Sequence, residues 1–259
     1  MSISDLIEPV SGRDGPATLA NAADSMQGRT LYGGASALLA YTHVQKKFAD
    51  LPPLRSAQIA FVAPIGEEIE LSATIVRQGR NVTQVRSDIH CDSGVALTAF
   101  WLFGSARESN AIRETQPLAD WPGAPESNAV AMQGKGPHFL QENFDVRFGQ
   151  PEGADHGAVI RRWARLKEHD QLDPVSRLIL MGDVMPPGAM RIMQRKGPIS
   201  SINWTFNLLQ PEPHSPDGWF LSENASHHAG SGYSSEHLRM WDVDGRQVLD
   251  GLQCVAIFG

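Results

Sequence analysis

The groups in this chain that could do chemistry near neutral pH cluster toward its C-terminal half. His227 carries an imidazole, a side-chain type able to accept a proton near neutral pH, which makes it a candidate base, and Ser226 stands beside it with a hydroxyl. The pair His227-His228 invites a metal, but neighbours on a strand point to opposite faces and do not both reach one ion. Gln253 falls among Leu249, Gly251, Val255 and Ile257, an apolar strand face on which a primary amide must find partners for two donors and one oxygen. That demand favours a functional reading of Gln253 over a purely structural amide bridge. Asn203, between Ile202 and Trp204, reads equally as a sheet residue bonded to a neighbouring loop or as an amide that orients a ligand. Asp183 ends an apolar helical stripe just before Pro186-Pro187, where capping, or pairing with Arg177 or Arg191, is the favoured role. Gly33-Gly34 opens another helical segment and would let a ligand approach the backbone amides of a helix N-terminus, or equally let the helix pack closely on a sheet. The basic run Arg161, Arg162, Arg165 and Lys167 alternates with Trp163 and Leu166, as a solvated outer strand does.

These residues must be held by two units with the same order of elements. Between Ser105 and Pro137 periodicity vanishes and Pro117, Pro122, Pro125 and Pro137 gather, the composition of a linker over residues 105–137. In residues 1–104, Thr30 opens a segment in which Ala35, Leu38, Leu39 and Thr42 recur with helical spacing until Pro52-Pro53. Strand-like runs follow at 55–63, 68–77, 81–91 and 95–103. In residues 138–259, Asp173-Pro174 is an N-cap followed by proline at the first helical position, and Val175, Leu178, Ile179 and Gly182 continue the stripe. Strand-like runs follow at 199–209, 218–228, 233–242 and 247–258, and further strands are available at 17–26 and 158–167. Ser56 to Phe61 echoes Ser201 to Phe206, and Phe103-Gly104 echoes Phe258-Gly259, which supports a duplication. A helix with one apolar stripe and strands with one apolar face each need the other, so each half is predicted to wrap a curved antiparallel sheet around one helix.

Composition sets outer bounds. Lys and Arg number 22 against 29 Asp and Glu, so the chain lacks the basic footprint that nucleic acid requires. The longest apolar runs, such as Val95 to Phe103, are far shorter than the roughly 20 residues of a membrane span. Cys91 and Cys254 are too few for a disulfide framework or a four-ligand zinc site, and Met1 to Pro16 lacks a secretory apolar stretch. The expectation is a reduced, cytoplasmic protein with no nucleic-acid or membrane partner.

In order and spacing, the chain resembles the acyl-CoA thioesterase II family, whose members are double hot-dog α+β folds. The segments that carry the likeness are Leu31 to Gly34, Arg55 to Pro64, Arg77 to Arg80, Leu166-Lys167, Asp183 to Pro187, Ser200 to Asn203, Gly218 to Leu221, and Asp244-Gly245 followed by Gln253. The resemblance implies a hydrolase of lipid metabolism that cleaves acyl-CoA with a water held by an Asp, a Thr or Ser, and a Gln of the second half. Carried over residue by residue, the Gln falls on Gln253, the hydroxyl on His227 with Ser226 beside it, and the Asp on Asn203. Gly33, Gly34 and Asp183 are the expected substrate-binding positions. An amide orients a water but cannot take its proton, so Asn203 keeps open a catalytically silent acyl-CoA-binding or scaffold protein. A hydratase would need an Asp-x-x-x-x-His pairing at the helix entry, where Asp24 is instead followed by Arg29. No metal or organic cofactor is expected, since nothing spaces ligands or cradles a nucleotide. Association into a homo-oligomer through sheet edges or faces is expected.

Overall fold

The computed structural model describes residues 3–131, 136–151, 155–210 and 212–258. Residues 132–135 of the proposed linker and Gly259 of the second echo lie outside them. The elements run α1 (Ile3–Ile7), β1 (Gly15–Thr18), β2 (Met26–Gln27), β3 (Thr30–Leu31), α2 (Gly33–Lys47), β4 (Leu54–Phe61), β5 (Glu68–Gln78), β6 (Val82–Cys91) and β7 (Gly94–Gly104). There follow α3 (His138–Asn143), β8 (Phe144–Phe148), β9 (Val159–Leu166), α4 (Pro174–Gly182), β10 (Ile199–Leu208), β11 (Phe220–Gly230), β12 (Tyr233–Trp241) and β13 (Gln247–Ile257).

Each half is a helix against an antiparallel sheet, and the two sheets join edge to edge through β4 and β10 into eleven strands, ordered β1-β5-β6-β7-β4-β10-β13-β12-β11-β9-β8. Alternation of buried and exposed side chains in β5 and β13 leaves one face apolar, and α2 and α4 lie on that face against their own strands and against each other. The result is a double hot-dog fold.

The local signals explain most element ends. Asp173 caps α4 by accepting from the amides of Val175 at 3.0 Å and Ser176 at 3.1 Å. The first helix starts at Gly33 rather than Thr30, because Thr30 and Leu31 pair with Met26 and Gln27 in a short ladder. The run expected at 17–26 is not one strand: its start lies in β1, Ala22–Ser25 turns as a 3-10 helix, and Met26 opens β2. The second half carries α3 and β8 before β9, elements too short to show periodicity. Within the linker, Leu118 and Trp121 pack on the outer cluster of Trp163, Trp219, Leu221 and Trp241, so this segment covers the outer face of the second sheet.

Candidate active site

The face shared by β10, β13 and β12 carries a row of side chains set by strand register: Trp204 opposite Gln253, and Gln253 opposite Glu236. All three are buried. Over this row runs the segment that leaves α4, beginning with Asp183. Gln253 Nε2 donates to Asp183 Oδ1 at 2.5 Å, joining residues seventy positions apart. Burial pushes the Asp183 carboxyl up to about 7, with the Gln253 hydrogen bond pulling in the opposite direction. Asp183 remains partly open to solvent while Gln253 is enclosed.

The loop after Asp183 is clamped from below. The fully buried Glu236 carboxylate accepts from the amides of Gly188 at 2.8 Å and Ala189 at 3.3 Å, and from the Ser234 hydroxyl. Asn224 Nδ2 donates to the carbonyls of Met185 at 3.0 Å and Pro186 at 3.1 Å. Pro186-Pro187 offers no amide donors to this stretch, and the Met185 and Pro186 carbonyls and the two amides beyond the prolines are met by side chains of the sheet.

The head of α2 closes the other side. A Cβ placed on Gly33 would collide with Asp183 Oδ2 and come within 2.8 Å of Phe61 Cζ, and one on Gly34 would collide with the Leu180 carbonyl oxygen. Gly34 therefore permits backbone contact between the start of α2 and the end of α4, and Gly33 brings the first turn of α2 against the carboxyl. No side chain caps that turn; its N-cap is Tyr32. The Tyr32 ring stacks on Phe139 of the second half with centroids 4.3 Å apart, fastening the helix head across the two halves. Burial and the Asp183 charge raise the Tyr32 phenol above its ordinary range.

Of the expected site residues, the structure brings together Gln253, Asp183, Gly33 and Gly34, and separates Asn203, His227 and Ser226 from them. Asn203 is exposed, and its Oδ1 accepts from the Cys254 amide at 3.1 Å, closing a bulge in the β10–β13 ladder between Ser201 and Asn203. Trp204 points inward, so its neighbour Asn203 points out. His227 is exposed at a second bulge in β11, its ring 5.4 Å from that of His237. Ser226 bonds Ser234 at 2.7 Å and so belongs to the Glu236 clamp. Asp183 takes Gln253 as partner in place of the arginines considered for it: Arg177 lies beside Asp173, and Arg191 Nε donates to the Gly157 carbonyl at 3.1 Å. The basic run is neutralised or stacked in place, with Arg161 on Glu223, Arg165 on Asp145 and Arg162 over Phe148.

Sequence reasoning missed Ser201, Glu236 and Trp204. Ser201 lies opposite Val255, two residues from Gln253, which puts it on the inner face before the bulge reverses the alternation. The usable signal was Trp204: a tryptophan that must face the core dictates which of its neighbours faces away. Among the described residues no cluster of three His, Cys, Asp or Glu is placed to hold a metal, and no helix is long and apolar enough to cross a membrane.

The fold and this convergence of a carboxyl, an amide and a helix head define a hot-dog pair with a candidate site where its two halves meet. Residues 21–104 match the acyl-CoA thioesterase N-terminal domain and residues 114–257 the acyl-CoA thioesterase C-terminal domain. The chain belongs to the acyl-CoA thioesterase family. None of the curated proteins is matched by the sequence. Similar solved structures include a conserved protein with hot dog fold from Alicyclobacillus acidocaldarius, with TM-score 0.85, 20% identity, and coverage of 100% of this chain and 99% of that one. The tesB protein of Mycobacterium avium subsp. paratuberculosis aligns with TM-score 0.77 at 15% identity over 100% of both chains. The acyl-CoA thioesterase II TesB2 of Mycobacterium marinum aligns with TM-score 0.74 at 16% identity, over 99% of this chain and 96% of that one.

Proposed function

We propose that this protein hydrolyses acyl-CoA to a free acid and coenzyme A, with Asp183 as general base and Gln253 as the group that orients it. The observation that carries the reading is the Asp183–Gln253 hydrogen bond at the head of α2, with the carboxyl raised to about 7. A base of that pKa is half ionised at neutral pH and well matched to proton transfer from water. The water's oxygen adds to the thioester carbonyl carbon as Asp183 accepts its proton. The oxyanion that forms is met by the uncapped first turn of α2, whose amides and dipole favour negative charge. Collapse breaks the carbon–sulfur bond, and Asp183 returns its proton to the departing thiolate. Ser201, on the Gln253 face of β10, is the hydroxyl available to hold the same water.

The silent-binder alternative rested on Asn203; its outward position, bonded to the Cys254 amide, supports hydrolysis over that alternative. Homo-oligomerisation and a cytoplasmic setting remain part of the proposal. The test is release of free thiol from a panel of acyl-CoAs by the wild type and by Gln253→Leu. Activity in the former, reduced at least tenfold in the latter, supports the reading; no thiol above background on any acyl-CoA from pH 6 to 9 refutes it.

A further inference from the structure

A thioester held at Asp183 and Gln253 has two arms. The coenzyme A arm is large, charged and hydrated, so it must leave toward solvent, and the acyl arm is left with the interior. Three close contacts take up space there. Beneath α4, the Trp204 indole is fully buried directly across from Gln253, and its Cζ2 and Cη2 would stand 2.5 and 2.7 Å from a Cβ on Gly182, the residue before Asp183. Beneath the head of α2, the Phe61 ring takes the equivalent place against Gly33. Between the helices, Gly34 meets the Leu180 carbonyl backbone to backbone, so the helix pair leaves no gap at that point. A glycine at each contact has let an aromatic ring or a backbone occupy the volume that an alkyl chain would need. Two cavities of about 400 and 370 Å³ lie elsewhere, one lined by Arg55, Asn81 and Arg107 and the other by Leu118, Trp121 and Asp244.

From this packing we infer that the substrates are short acyl-CoAs, from acetyl to butyryl, and that Trp204 and Phe61 set the limit on chain length. The inference rests on the hydrolytic reading and narrows its substrate class. Trp204 is a specificity residue and not part of the water-activating pair, so shortening it opens room for chain while leaving Asp183 and Gln253 in place.

The experiment measures kcat/KM on acetyl-, butyryl-, hexanoyl-, octanoyl-, lauroyl- and palmitoyl-CoA for the wild type, Trp204→Ala, Trp204→Leu and Phe61→Ala. The wild type is expected to favour acetyl or butyryl and to gain nothing from added methylenes. The variants are expected to move the optimum to longer chains, with roughly fourfold in kcat/KM for each methylene the new space buries. Phe61 is only partly buried, so Phe61→Ala serves should both Trp204 variants fail to fold. A wild type that prefers hexanoyl-CoA or any longer chain overturns the inference while leaving hydrolysis standing, as do folded variants with an unchanged chain preference. If the wild type cleaves none of the panel, the hydrolytic reading fails instead, and calorimetric binding of acetyl- against palmitoyl-CoA decides chain length. Tighter binding of palmitoyl-CoA then overturns the limit, and tighter binding of acetyl-CoA upholds it.

Discussion

Asp183→Asn removes the proton acceptor while keeping the volume and the capacity to hydrogen-bond Gln253. Loss of a positioned general base lowers kcat by about 100 to 10,000-fold. The same variant reports on the buried charge. The carboxyl ionises at an ordinary 3.8 in the unfolded chain and at about 7 in the folded one. Folding therefore takes up a proton between these values: the contribution of the protonated form is complete below about pH 4 and is lost as pH rises through 7. Three units correspond to about 4 kcal/mol. Because Asp183 is partly open to water, about half of that, roughly 2 kcal/mol, is the expected effect. Asparagine resembles the protonated form at every pH, so the variant should match the wild type near pH 4 and exceed it by roughly 2 kcal/mol at pH 8. Denaturant melts at pH 4.5, 6, 7 and 8 measure this, and thiol release across the same range measures the rate. Wild-type activity should climb tenfold per pH unit below about 7 and level off above it. A variant that retains a tenth or more of wild-type kcat, or a stability difference that does not grow with pH, refutes the role given to Asp183.

Glu236→Ala leaves the Gly188 and Ala189 amides and the Ser234 hydroxyl unpaired under the loop that carries Asp183. Stability should fall by about 3 kcal/mol in a denaturant melt and kcat at least tenfold, with Glu236→Gln recovering part of both. Gly33→Ala drives a methyl into the Asp183 carboxyl and Phe61, so thiol release should drop at least tenfold in a protein whose circular dichroism is unchanged. Asn203→Asp should leave kcat within about twofold of the wild type, because the side chain faces outward at the bulge; a gain near 100-fold would contradict that placement. Glu223→Ala strands Arg161 and Arg239 on the outer face and should destabilise by about 3 to 5 kcal/mol without changing KM, since none of the three touches the Asp183–Gln253 pair.

Local pattern carried the architecture. The helical stripe from Val175 to Gly182, the Asp173 cap, the alternation of Ile69, Leu71 and Ala73, and the repeated order of helix and strands are decided by residues close in the chain, so they are legible there. Gln253 was legible for the same reason, as one amide on an otherwise apolar strand face. The rest of the site depended on contacts that periodicity does not encode. One extra residue at the β10 bulge turns Asn203 outward and leaves Ser201 within, and only the paired strand reveals the slip. Asp183 read as a cap or an ion-pair partner because its neighbours in sequence include arginines. Its neighbour in space is Gln253, and burial at that spot lifts the carboxyl from its ordinary range to about 7 even though the Gln253 hydrogen bond pulls the other way. Whether Gly33 admitted a ligand or a ring was likewise settled by packing, since a glycine specifies only that something comes close, and the approach of Phe61 to Gly33 and of Trp204 to Gly182 is fixed by how two helices and two sheets meet.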